Sequence, residues 1–219
     1  MIKGVILDMD GLLIDSEPHW RTALVNVFRG LGIEMTRDMA KQTMGLRTAD
    51  VVAYWYNIYK WEGPSVEEVC DRILEEVDRL VWAEGKIMPG VNELVKWVKA
   101  NNLKLGLASS SPMSLIKSFV KKIGIENELE ALRSGSEEAY GKPHPVVYIE
   151  TAKELGLKPE ECLAFEDSFT GLLAAKAARM KAVAVPEEAD RKDPRFCIAD
   201  VQLASLLDFN DEVFEKIIS

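Results

Sequence analysis

Along the first hundred residues the apolar positions keep a helical period after one short exception. A short buried strand is expected over residues 3–7, where the apolar run "GVIL" follows Lys3. From there Trp20, Leu24, Val27 and Leu31 recur at three- and four-residue steps, one face of a helix. Ser16 is placed to cap its start, and Gly30 and Gly32 to stop it. Thr48 is placed to cap a further segment carrying Val51, Val52, Trp55 and Tyr59. Ser65 and Glu68 have capping-box spacing ahead of Val69, Ile73, Val77 and Leu80. Five successive segments read as helical up to about Ala100. With no strand between them, residues 16–81 are predicted to form a small helical bundle.

The pattern then alternates. Helix 91–99 leads to strand 103–108, helix 113–123 to a short strand in "EALRS", helix 146–155 to "CLAFE", and helix 171–178 to "KAVAV". Strands that are apolar throughout, separated by helices, belong to a parallel sheet covered on both faces. The expected fold is therefore α/β, a Rossmann-like parallel sheet with a helical insertion after its first strand. Its boundaries divide the chain into a core of residues 1–15 and 86–219 and a helical cap of residues 16–85. The linkers "IDSEP" and "AEGKIMPG" stand where hinges would.

Composition narrows the function. The chain has 219 residues, 47% of them hydrophobic, enough for a packed interior. No apolar run approaches the roughly 20 residues of a membrane helix, and the start lacks a signal-type core, so a cytoplasmic protein is expected, acting as a monomer. Its formal charge of −9 argues against nucleic acid or an anionic membrane as partner, though not against a small phosphorylated metabolite. Cys70, Cys162 and Cys197 lack metal-ligand spacing and read as reduced core thiols.

In a parallel sheet the residues just past the strands' carboxyl ends meet along one edge. Asp8 and Asp10 follow the first strand, Ser109 follows "LGLA", and Glu166 and Asp167 close "CLAF", with Lys142 in a loop within reach. Four acids at close range call for a cation, and an all-oxygen set suits Mg²⁺. Ser109, helix-start amides and Lys142 are suited to holding phosphate oxygens. Singly, each has a plainer reading: Asp8 and Asp10 as turn residues, Ser109 as a helix cap, Lys142 as a solvated charge, and Glu166 and Asp167 as the acidic first turn of a helix. His19 and His144 are expected to be structural, and Trp20, Tyr54, Trp55, Tyr56 and Trp61 to pack the cap. Arg47 is the best cap residue for reaching a substrate, with a surface ion pair as the equal alternative.

"DMDGLLIDSE", "LASSS", "GKPHP" and "FEDSFTG", in that order around a helical insertion, resemble the haloacid dehalogenase superfamily of aspartate-nucleophile phosphohydrolases. The subgroup resembled is that of β-phosphoglucomutase and 2-deoxyglucose-6-phosphatase, whose cap is a four-helix bundle. The resemblance implies Asp8 as nucleophile and Asp10 as acid and base, with the Asp10 main-chain carbonyl on Mg²⁺. It implies Ser109 and the Ser110 amide on the phosphoryl group, Lys142 beside both, and Asp167 with Glu166, directly or through water, completing the metal shell. The mutase pattern has Thr after the acid at position 15 and His five residues beyond it, where this chain has Ser16 and Trp20. A Lys expected after the serines is also absent, so a sugar-phosphate phosphatase is favoured over a mutase. A dehalogenase would not use the second acid of the DxD pair, and a receiver-like signalling domain would carry its acceptor after the third strand.

Overall fold

The computed structural model describes residues 1–43 and 46–219. Among them six strands form one parallel sheet in the order β3-β2-β1-β4-β5-β6. They are β1 (Gly4–Leu7), β2 (Lys104–Ser109), β3 (Ala131–Ser134), β4 (Cys162–Glu166), β5 (Lys181–Ala184) and β6 (Val201–Gln202). All four residues of β1 are buried, as a central strand covered on both faces requires. Val5 and Leu7 join one apolar cluster with α5 (Val91–Ala100) and α6 (Met113–Ile123). Ile6 joins the other with α7 (Val146–Glu154) and α8 (Phe169–Ala177), so the sheet is packed from both sides.

Four helices stand between β1 and α5: α1 (Glu17–Gly30), α2 (Arg37–Lys41), α3 (Thr48–Tyr59) and α4 (Val66–Glu84). Phe28, Trp55, Ile73 and Val77 bury their shared faces in continuity with the α5 and α6 side of the core. The capping box at the start of α4 is complete, with Glu68 N–H donating to Ser65 Oγ at 3.1 Å and Ser65 N–H to Glu68 at 2.7 Å. The expected linkers run antiparallel to each other through an Ile14 and Ile87 bridge, with Asp15 N–H donating to the Lys86 carbonyl at 2.8 Å.

Three local expectations are corrected. Ser16 stands at the N-cap of α1, but its hydroxyl makes no capping bond. The N-cap of α3 is Arg47, which takes the extended backbone and leaves Thr48 as the first helical residue. Of the cysteines, Cys162 is a core thiol, whereas Cys70 is half-buried and Cys197 exposed. The chain also ends on elements that the pattern did not announce: the two-residue β6 and α9 (Asp211–Ile218), whose Ile217 is buried. No helix among the described residues is long and apolar enough to cross a membrane.

Candidate active site

β1 is central, and the chain leaves it toward β2 and β3 on one side and toward β4 and β5 on the other. A crevice opens at such a switch point, beyond the strands' carboxyl ends. Register does the rest. Leu7 pairs with Leu107 and with Phe165, which sets Asp8 level with Ala108 and Glu166. Ser109, Glu166 and Asp167 are thereby placed around Asp8 by backbone hydrogen bonding alone.

Lys142 is the hub. Its ammonium donates to Asp8 Oδ1 and Glu166 Oε1, both at 2.6 Å, and to the Ala108 carbonyl at 3.0 Å, with 3% of its side chain exposed. Tyr148, on α7, donates its hydroxyl to the same Glu166 oxygen at 2.5 Å. The other Glu166 oxygen accepts from the Ser168 hydroxyl at 3.1 Å. A side chain at Gly171 would collide with the Glu166 carboxylate, so the α8 residue facing it has to be glycine.

Burial above all pushes the Asp8 carboxyl well above its usual range, with Lys142 opposing and Glu166 and Asp10 adding to the rise. Asp167 is raised in the same way, first by burial and then by Asp8, Glu166 and Glu17. Burial pulls the Lys142 ammonium down, but Asp8 and Glu166 outweigh it and hold the group above its ordinary value. Three buried carboxylates thus face one ammonium, an imbalance that a divalent cation would correct. Asp8, Glu166 and Asp167 each offer an oxygen within 4.8 Å of the others, and the all-oxygen set fits Mg²⁺.

The Asp10 carboxylate stands outside that set. Oδ1 accepts from Ser16 Oγ at 2.7 Å and from the Trp20 indole N–H at 3.0 Å. Oδ2 accepts from Ser111 Oγ at 2.7 Å and from Ser109 Oγ at 3.2 Å. Two donors come from the start of the helical insertion and two from the end of β2 and the loop after it. Any metal role for Asp10 is therefore left to its main-chain carbonyl. Gly11, at φ +78°, turns the chain here, and a Cβ on it would strike Asp167.

One cavity is lined by Asp8, Asp10, Ser109, Ser110, Lys142 and Asp167 on the sheet side. On the helical side it meets Glu17, Trp20 and Arg21 and then the aliphatic Leu24, Leu46, Val51 and Ile73. Arg47, expected to reach a substrate, is not among the lining residues. Its guanidinium donates to Asp50, three residues on, at 2.7 and 3.1 Å, and to the Glu138 carbonyl at 3.0 Å, so it makes the expected ion pair in this structure. Tyr148, Ser111 and Glu17 were not singled out in the sequence, and Trp20 was assigned to packing. Burial and then Asp10 push the Glu17 carboxyl up to about 8, with Arg21 opposing.

Known proteins are similar to this chain in sequence and fold. The family model for the haloacid dehalogenase-like hydrolase matches residues 2–179. The chain is 42% identical over 206 residues to hexitol phosphatase B of Escherichia coli K12, across 94% of this chain and 93% of that one. It is 27% identical over 190 residues to β-phosphoglucomutase of Bacillus subtilis 168, across 84% of this chain and 83% of that one. In fold it is similar to the crystal structure of β-phosphoglucomutase from Clostridium difficile, with a TM-score of 0.86 at 22% identity over 100% of this chain and 98% of that one.

Proposed function

The chain belongs to the haloacid dehalogenase-like hydrolases, and from that premise we propose that it is a Mg²⁺-dependent phosphatase of small sugar phosphates, acting through an acyl phosphate on Asp8. The observation that carries this reading is the buried Asp8 clamped by Lys142, with Asp10 held separately by four donors across the same cavity. Hexitol and hexose phosphates of the 2-deoxyglucose 6-phosphate type are the assigned substrate class. The resemblance to hexitol phosphatase B supports it.

Asp8 attacks phosphorus, the ester P–O bond breaks, and the leaving oxygen takes a proton from Asp10. Asp10 then takes a proton from the water that attacks the aspartyl-phosphate, releasing inorganic phosphate and restoring Asp8. Lys142 offsets charge at Asp8 and at the incoming phosphoryl oxygens, while Ser109 and Ser110 hold the phosphoryl group. Mg²⁺ held by Asp8, Asp167 and the Asp10 carbonyl would supply further charge neutralisation. Glu166, whose two oxygens already serve Lys142, Tyr148 and Ser168, acts as the acceptor that fixes Lys142.

Residues 1–15 and 86–219 are assigned to the core and 16–85 to a cap that opens about the paired linkers. The Ile14 and Ile87 bridge supports that boundary. The rival reading, a phosphosugar mutase, draws on the kinship with β-phosphoglucomutase. Against it, Trp20 puts on Asp10 an N–H that can only donate. Phosphate release from hexitol, hexose and other phosphate esters, with Mg²⁺ and with a chelator, tests the proposal. Release that needs the metal supports it, and efficient isomerisation of β-glucose 1-phosphate with a bisphosphate activator would overturn it in favour of the mutase.

A further inference from the structure

Glu17 opens α1 and lines the same cavity as Asp8 and Asp10, yet it is 7% exposed. Its Oε2 is buried and has no hydrogen-bond partner among the described residues. One other carboxylate oxygen shares that condition, on Glu128, and it faces the Lys99 ammonium. Among the described residues Glu17 makes no such ion pair, and Arg21, one turn on, pairs with Glu187. An acid at the first position of a helix favours the helix dipole, but a solvated one does so without giving up its water. Buried carboxylate oxygens are normally paired, so an orphan on a residue that lines a cavity points to a partner that arrives with the ligand.

Position identifies that partner. If Asp10 protonates the leaving oxygen, that oxygen lies beside Asp10 during the reaction. Glu17 stands on the cap side of Asp10, whose charge acts on it more strongly than any other. It therefore meets the atoms one or two bonds beyond the ester oxygen. The wall past it is largely aliphatic, with Leu24, Val51 and Ile73, and its polar side chains there are the hydroxyls of Thr43 and Thr48, so Glu17 is the carboxylate that wall offers a hydroxyl. Arg21, one turn along α1 and also in the wall, disfavours an ammonium there.

Resting on the phosphatase reading, we propose that Glu17 is a specificity-determining residue that hydrogen-bonds a hydroxyl on the carbon next to the phosphate ester. Within the sugar-phosphate class the enzyme would thereby favour hexitol and other open-chain polyol phosphates over simple alkyl or aryl ones, and over pyranose 6-phosphates, whose oxygen on that carbon lies in the ring. A site built to bond a hydroxyl discriminates strongly against an analogue lacking it, because the protein group is then left unpaired.

The test compares kcat/KM for glycerol 1-phosphate, 3-hydroxypropyl phosphate, propyl phosphate and phosphoethanolamine, with Mg²⁺, in wild type, Glu17→Gln and Glu17→Leu. Wild type is expected to prefer glycerol 1-phosphate over both propyl esters by about tenfold or more. Glu17→Leu should lose about tenfold more on glycerol 1-phosphate than on propyl phosphate, while Glu17→Gln, which still offers a donor and an acceptor, keeps most of the preference. Equal losses on both esters, no preference in wild type, or a preference for phosphoethanolamine would each overturn the assignment while leaving the phosphatase reading intact. Failure of the wild-type protein to release phosphate from any of these esters or from a hexitol phosphate would sink both.

Discussion

The sheet wall and the helical wall of the cavity are built differently. On the sheet wall Lys142 alone joins Asp8, Glu166 and the Ala108 carbonyl, and Tyr148 and Ser168 complete Glu166. On the helical wall Leu24, Val51 and Ile73, with a few polar side chains such as Thr43 and Thr48, share the cavity with one acid whose oxygen is orphaned. A fully bonded polar network holds its geometry whether or not a ligand is present, which suits groups that must meet the same phosphoryl group in every substrate. A sparse wall with one unspent polar atom suits the part of the substrate that differs. Asp10 lies between the two walls, with two donors from each, and is the point at which the position of the cap reaches the chemistry.

The sharpest way to break that contrast is Lys142→Met. It leaves Asp8 and Glu166 buried without their cation, so a stability loss of about 3–5 kcal/mol is expected. Activity should fall by at least about 10²- to 10³-fold, as when a transition-state donor is removed. Urea unfolding and phosphate release check the two effects. Survival of either near the wild-type level would mean that the network is not what organises the sheet wall.

A smaller effect is expected from Trp20→Phe, which keeps the ring and deletes one of the four donors on Asp10. A hydrogen bond to a charged group is worth about 1.5–3 kcal/mol, so kcat should fall about tenfold or more. KM should stay near its wild-type value, because the change acts through Asp10. A rise in KM alone would return Trp20 to a packing role.

The smallest effect is expected away from the cavity, at Asp200. It accepts from Lys176 at 2.6 Å, Lys181 at 3.1 Å and the Ala182 N–H at 2.8 Å. Partial burial raises its carboxyl, but these donors outweigh burial and hold it below its usual value. A carboxyl lowered by folding stabilises the protein above its unfolded pKa, and that stabilisation is lost as pH falls through the folded one. Asp200→Asn should therefore cost about 1 kcal/mol near neutrality. The gap to wild type should close on acidification through the ordinary Asp range, with no change in kcat. Unfolding curves at several pH values give the answer, and a gap that widened in acid would reverse the assignment.

The strands and most helices were legible because burial writes itself as period: an unbroken "GVIL" for a strand covered on both faces, and Val69, Ile73, Val77 and Leu80 for one face of α4. The meeting of Asp8, Ser109, Lys142, Glu166 and Asp167 was legible because parallel strands bring their carboxyl ends to one edge. What escaped notice were side chains with two uses. Trp20 fits the apolar stripe of α1, so its N–H gave no signal of its own. Tyr148 reads as core on α7 and is core, yet its hydroxyl closes the Glu166 network. Ser16 sits where a cap belongs and turns instead to Asp10. Arg47 had two open readings, and the structure shows its ion pair with Asp50 three residues later. β6 is too short to show a period.

The central claim is that Asp8 carries the phosphoryl group, and acid quenching during turnover of a phosphate-labelled hexitol phosphate with Mg²⁺ tests it most directly. Wild type should retain label as an acid-stable, hydroxylamine-labile acyl phosphate at Asp8, and Asp8→Asn should retain none and release no phosphate. Phosphate release by Asp8→Asn at a rate comparable to wild type, or label trapped on another residue, would contradict the account.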